Sequence, residues 1–145
     1  MKILAHNKRA QFDYDIKDTF VAGLILSGAE VKSVKNGNVS LTGAYVTASS
    51  DGARLINTHI GSYKYARIEG YNPTQTRKLL MKKNEINQLM GKEKGLVIVP
   101  LEIFQTKQGW LKVKLGVGRT RKKRDKREYI KKKDVNKEIR KISNY

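Results

Sequence analysis

Residues 95–118 read GLVIVPLEIFQTKQGWLKVKLGVG, and two strands joined by a turn are written in them. The first, through Phe104 and Gln105, is a short apolar run of β-branched and aromatic residues. The turn falls around Gln108-Gly109. In the second, Val113, Leu115 and Val117 alternate with Lys112 and Lys114. Period-two alternation gives a strand one face for a core and one for solvent. The closing hairpin therefore predicts a body built of β-structure.

The same reading extends upstream. Residues 10–18, AQFDYDIKD, place Phe12, Tyr14 and Ile16 on alternate positions and predict a half-buried strand. Asp13 and Asp15 then share its other face. TFVAGLIL, Thr19–Leu26, predicts the next strand, broken at Ser27-Gly28. AEVKSVKNG spaces Val31 and Val34 three apart and stops at Asn36-Gly37, the pattern of a short helix. VSLTGAYVTAS predicts a loop into a strand, and Asp51-Gly52 a hairpin turn into ARLINTHI. Gly61–Pro73 is polar, with Tyr63, Tyr65 and Tyr71 interleaved with Lys64 and Arg67. Thr74 is expected to cap a long helix through Met90, with Leu79, Leu80, Ile86, Leu89 and Met90 inward and Gly91 at its end. About six strands with two to three peripheral helices predict a mainly β fold, a small antiparallel barrel of OB type. Helices do not alternate with strands, so a parallel βαβ sheet is excluded.

The 145 residues hold 31 lysines and arginines against 13 acids, a net charge of +18. Such a balance calls for a polyanionic partner, nucleic acid before an acidic membrane surface. Residues 119–145 carry 13 basic and 4 acidic side chains, so half the net charge sits in the last 27 residues. The boundary near Gly118 divides the chain into a barrel over 1–118 and a basic tail over 119–145. The tail favours helix by composition, but its crowded positive charge opposes an isolated helix. It is expected to be disordered when free and helical when a polyanion neutralises it. The competing arrangement packs a tail helix on the barrel through Val135, Ile139 and Ile142.

Catalytic chemistry is hard to find. The chain has no cysteine, which excludes disulfides, zinc knuckles and thiol nucleophiles. His6 and His59 have no companion at metal-ligand spacing, and no phosphate-binding glycine loop or nucleophile elbow is present. No metal, cofactor or enzymatic activity is expected. The N-terminus lacks the apolar run of a signal peptide, and no stretch approaches the 18 apolar residues of a membrane span. A cytoplasmic, RNA-facing role is the expectation, carried by lysines and arginines that neutralise phosphates and tyrosines that stack on unpaired bases.

Five motifs in order then carry a specific resemblance. They are Asn7-Lys8-Arg9-Ala10; Ala22-Gly23 followed by Gly28-Ala29-Glu30-Val31-Lys32-Ser33; Pro73-Thr74 with Arg77-Lys78-Leu79-Leu80-Met81; Val99-Pro100-Leu101; and Trp110–Gly116 leading to Asp125-Lys126-Arg127-Glu128. Together they resemble the SsrA-binding protein, or small protein B, family of bacterial trans-translation, over nearly the whole chain. The resemblance implies an OB-like barrel, no catalytic activity, and binding to the tRNA-like domain of tmRNA. It further implies delivery, with elongation factor Tu on the charged tmRNA, to a stalled ribosome. There the tail would occupy the empty mRNA channel and the decoding centre of the small subunit.

By the same resemblance, Asn7, Lys8, Arg9, Glu30, Lys32, Ser33, Arg77, Lys78 and Lys112 are the RNA-binding residues of the barrel. Leu80 is a support beneath them. Lys122, Lys123, Arg124, Asp125, Lys126 and Arg127 belong to the ribosome-binding tail. A monomer without membrane association is implied. The sequence departs from the family at Val21, where glutamate is common, at Asn72 for aspartate, at Gln75 for arginine and at Arg124 for histidine or an aromatic. The rival reading is a generic OB-fold protein bound permanently to ribosomal RNA.

Overall fold

The computed structural model describes residues 2–66, 68–92, 94–122 and 126–133. β1 (Lys2–His6) leads into a single helical turn, α1 (Ala10–Asp13), and then into the long β2 (Tyr14–Leu24). Next come α2 (Gly28–Lys35), β3 (Val39–Ser40) and the hairpin β4 (Tyr45–Ser49) to β5 (Gly52–Ile56). β6 (His59–Ile60) precedes a long loop to β7 (Arg77–Leu80), followed by α3 (Lys83–Met90). β8 (Val97–Gln105) and β9 (Leu111–Thr120) form the closing hairpin. A further helix covers 126–133.

All the pairings are antiparallel. The main sheet runs β1-β8-β4-β5-β7-β2-β9, and β9 also pairs with β8. That last pairing closes β8, β4, β5, β7, β2 and β9 into a ring, the OB-like barrel expected. The inward residues of the closing hairpin, Ile103, Val113 and Leu115, are fully buried with Leu55 and Ile60. Closure hides the strand edges that an open sheet would leave unpaired.

The edge of β8 opposite β9 is shared. β4 meets it at Val46↔Ile98 and β1 takes over from Glu102 to Gln105. Between them Pro100 has no N–H to give. Asn7 fills the seam: its backbone N–H donates to the Leu101 carbonyl (2.8 Å), and its buried side chain donates to Pro100 O (2.9 Å) and Leu41 O (3.5 Å).

Two sequence expectations change here. Residues 10–13 are not part of a strand, while 14–18 are. Phe12 N and Asp13 N donate to Arg9 O, making one helical turn, and buried Ala10 packs with Val99 and Leu101. Asp13 and Asp15 therefore do not share a strand face. The two strands predicted over 10–18 and 19–26 are, from Tyr14 to Leu24, one strand, whose register against β9 shifts between Ile16 and Asp18. A bulge offsets the alternation, which is why the pattern reads as two short runs.

The long helix expected from Thr74 is likewise absent. Asn72 Oδ1 accepts from Thr74 N and Thr74 Oγ1, both at 3.1 Å, so Asn72–Gln75 is a turn rather than a helix cap. Residues 77–80 then pair with both β5 and β2. Filling that gap in the ring overrides their helical propensity. Helix begins only at Lys83, buries Leu89, leaves Met90 exposed and ends at Gly91 as expected. The helix at Glu30, the Asp51-Gly52 hairpin and the closing hairpin agree with the sequence.

At Gly118 the barrel wall is too tight for a side chain. A Cβ there would lie 2.2 Å from Asp15 O and 2.9 Å from Ile16 Cα. Both are backbone atoms, so relief requires moving β2 away from β9. Gly118→Ala is expected to cost about 2–3 kcal/mol, read as a lowered urea midpoint with unchanged m-value.

Candidate nucleic-acid interface

β7 decides which of its residues face out. Its alternation turns Arg77 and Leu79 inward and Lys78 and Leu80 outward. Arg77 is only 3% exposed and meets Glu30 of α2, itself 4% exposed. Arg77 Nη2 and Nε lie 2.7 and 2.9 Å from Glu30 Oε2. Nη1 donates to the Thr58 carbonyl, and Nη2 also lies within hydrogen-bond distance of Pro73 O (2.9 Å) and the Tyr71 hydroxyl (3.1 Å). On Glu30, Oε1 accepts from Ser27 N (3.2 Å) in a reciprocal capping box, and Oε2 accepts from Gln75 Nε2 (3.2 Å). The Tyr71 hydroxyl reaches Ile60 O (2.8 Å) and Glu30 Oε2 (3.1 Å). One ion pair thus ties α2, the 61–76 loop, the β5–β6 link and β7 together.

Burial works to raise the Glu30 pKa. The hydrogen bonds from Arg77, Ser27 and Gln75, with the charge of Arg77, outweigh it and hold the carboxyl below its ordinary value of 4.5. Burial, and then the Glu30 charge, push the Tyr71 hydroxyl up.

The nine barrel residues assigned to RNA binding thus divide. Asn7, Glu30, Ser33 and Arg77 are buried. The contacts of Asn7, Glu30 and Arg77 lie within the chain, and Ser33 Oγ has no hydrogen-bond partner. Lys8, Arg9, Lys32 and Lys78 are exposed, and Lys112 is half-buried. Leu80, expected beneath the surface, instead stands on it at 68% exposure.

Strand register gathers the outward set. Arg54 of β5 lies opposite Lys78, Leu80 opposite Gly23, Gly23 opposite Lys112, and Val21 opposite Lys114. Partners in antiparallel register share a face, so four cations flank an apolar strip of Leu80 and Val21. Trp110, 69% exposed in the turn before β9, adds a flat ring beside Ile25 and Leu80. Gly23 keeps the strip shallow, since a Cβ there would sit 3.2 Å from Leu80 Cβ. Phosphates suit the rim and a base or ribose the strip. The sequence reading missed Arg54 and Trp110 as part of this face. Trp110 has a local signal, an aromatic in a polar glycine turn; Arg54 has none without the register.

A second basic region surrounds α1. Arg9 and Lys126 both stand over the Phe12 ring and both pair with Asp13. A residue assigned to the barrel and one assigned to the tail therefore meet. Lys122 and Arg127 are exposed nearby in sequence. Lys123, Arg124 and Asp125 lie outside the described residues, as does the Val135, Ile139 and Ile142 stripe.

Removing either partner of the buried pair strands the other. Arg77→Ala and Glu30→Gln are each expected to cost about 3–5 kcal/mol at pH 7, measured by urea unfolding. The lowered Glu30 pKa means its contribution is present above pH 4.5 and lost as pH falls through the folded-state value. Glu30→Gln is therefore expected to flatten the acid limb of the stability profile. An unchanged acid limb would overturn the assignment.

Comparison with known proteins accords with this geometry. The family model described as "SmpB protein" matches residues 4–145. The SsrA-binding protein of Anaeromyxobacter dehalogenans (strain 2CP-C) is 46% identical over 140 residues, covering 95% of this chain and 85% of that one. The SsrA-binding protein of Geobacillus thermodenitrificans is 43% identical, covering 95% of this chain and 90% of the relative. A solved structure described as "tmRNA-SmpB: a journey to the center of the bacterial ribosome" superposes with a TM-score of 0.69 at 36% identity. It covers 90% of this chain and 95% of the other. Both the ordered motifs and the barrel they build are thus those of one family: the chain belongs to the SmpB proteins, the SsrA-binding family.

Proposed function

We propose that this chain binds the tRNA-like domain of tmRNA and delivers it to stalled ribosomes for trans-translation. The observation that carries the proposal is the extent of the family match, from residue 4 to residue 145, which takes in barrel and tail alike. The related structure, described as tmRNA-SmpB on the bacterial ribosome, supports the same two partners. The barrel meets tmRNA with Lys8, Arg9, Lys32, Lys78 and Lys112 toward the phosphates. Asn7, Glu30, Ser33 and Arg77 serve it from within, by fixing the seam, α2 and β7 that carry those lysines. The tail, with Lys122, Lys123, Arg124, Asp125, Lys126 and Arg127, occupies the decoding centre and the empty mRNA channel, in place of codon–anticodon pairing. The factor acts in the cytoplasm as a monomer, on charged tmRNA that also carries elongation factor Tu, and contributes no catalytic group of its own.

Among the described residues no helix is long and apolar enough to cross a membrane. The departure at Gln75 fits the proposed division of labour, since its amide supports Glu30 from within the fold.

Two measurements test the reading. Protein recovered from cells is expected to carry one structured small RNA and to sit on a minority of ribosomes; equal stoichiometry with ribosomes would favour a permanent ribosomal protein. Deleting residues 119–145 is expected to leave tmRNA affinity within about threefold, because the contacts are on the barrel, while abolishing tagging of stalled nascent chains. Undiminished tagging would refute the division between barrel and tail.

A further inference from the structure

α1 and the segment after β9 make a set of contacts that barrel formation does not require. Arg121 N donates to Asp13 O (2.8 Å) and Arg121 Nε to Gln11 O (3.1 Å). The Arg121 guanidinium lies 4.6 Å from the Tyr129 ring centroid, in the helix over 126–133. Lys126 Nζ, at the start of that helix, lies 3.4 Å from Asp13 Oδ1 and 5.3 Å from the Phe12 ring centroid. Arg9 approaches the same two side chains, 3.7 Å from Asp13 Oδ2 and 5.2 Å from the Phe12 ring centroid. One carboxylate and one aromatic ring are thus shared by two cations.

We propose that α1 is a releasable latch for the root of the C-terminal segment: Asp13 and Phe12 hold Lys126 in the unbound chain, and an RNA phosphate displaces them.

Strength decides between a rigid bracket and a latch. The Asp13 and Lys126 side chains are each 30% exposed, so solvent and salt screen their attraction. The cation–ring contacts are partly solvated and correspondingly weak. Asp13 also carries less than one full negative charge per neighbouring cation, so the cluster stays net positive. A phosphate chain offers Lys126 and Arg9 separate charges and gains counterion release, which the single carboxylate cannot match. The two arginine hydrogen bonds to the α1 backbone use Arg121, outside the carboxylate exchange. The exchange is therefore placed at the Lys126 side chain, while Arg121 stays on the α1 backbone.

The inference rests on contacts within the chain alone; only its use during ribosome entry rests on the proposed function. Its test is accordingly conformational. The chain has no cysteine, so cysteines introduced at exposed Lys107 and Lys133 carry the only spin labels. Pulsed dipolar spectroscopy of the full-length protein in 20 mM salt is expected to give one dominant narrow distance. Asp13→Asn, 500 mM salt, or saturating twelve-nucleotide oligouridylate are each expected to reduce that population about threefold or more, as for a screened ion pair. Asp13→Lys combined with Lys126→Asp, which reverses the ion pair, is expected to restore part of it. A narrow population unmoved by salt, oligouridylate and Asp13→Asn would overturn the latch in favour of a fixed bracket. A broad distribution in low salt would overturn it outright. Should Asp13→Asn fail to fold, the salt and oligouridylate titrations of the unsubstituted chain decide alone. Loss of tmRNA binding with an intact latch response would count against the proposed function and leave the latch standing.

Discussion

A single buried ion pair organises the β7 side of this molecule. Arg77 and Glu30 have left water almost completely, and they are worth keeping there because hydrogen bonds from several elements compensate the lost hydration. Their partners come from α2, the β5–β6 link, the 61–76 loop and β7. An apolar pair of equal volume would fill the same space but would accept several registers of the four-residue β7. The guanidinium accepts one, because its fork must meet a carboxylate and two carbonyls together. Once Arg77 points inward, Lys78 and Leu80 must point outward. The surface presented to a ligand is therefore set by an interaction hidden beneath it.

The seam at Asn7 works by the same logic on the other side of the barrel. A proline in β8 and a change of neighbour from β4 to β1 leave carbonyls without ladder partners. Buried carbonyls in that state are costly. The Asn7 amide supplies a donor to Pro100 O and a second one to Leu41 O, which also accepts from Ala44 N, and its backbone then turns the chain into α1. In this way a residue that a motif marks as functional acts through geometry. It places Lys8 and Arg9 at the exposed corner that follows the seam.

Local signals were readable in the sequence, and distant pairings were not. The short helix of Val31 and Val34 with its Asn36-Gly37 stop, the Asp51-Gly52 turn and the alternating closing hairpin are decided by residues within a few positions of one another. β7 is decided elsewhere. Residues 77–80 favour helix locally and become a strand because β5 and β2 leave a place between them. Ala10–Asp13 reads as alternating but folds as a turn of helix because Ala10 must pack into a gap against Val99 and Leu101. The candidate site shows the same split. Exposed lysines were legible as cations, whereas Arg54 joins Lys78 only through register. The burial of Glu30 and Arg77 could not be read from charge patterning, which treats both as surface groups.

The net charge of +18 divides evenly between residues 1–118 and 119–145, but that division belongs to the chain more than to space. At α1 the two halves touch: Arg9 from the first and Lys126 from the second stand on the same Phe12 ring and the same Asp13 carboxylate. Bringing like charges together costs free energy, and one carboxylate offsets only part of it. The residual field at this corner is positive in the unbound chain and falls when polyanion arrives. Affinity for RNA and the arrangement of the segment after β9 are for that reason coupled by electrostatics alone, with no need for a conformational change passing through the barrel. The rigid ring then has a simple part to play: it keeps the Trp110–Lys112 face and the α1 corner at a fixed separation, while the charges at the corner are free to change partners.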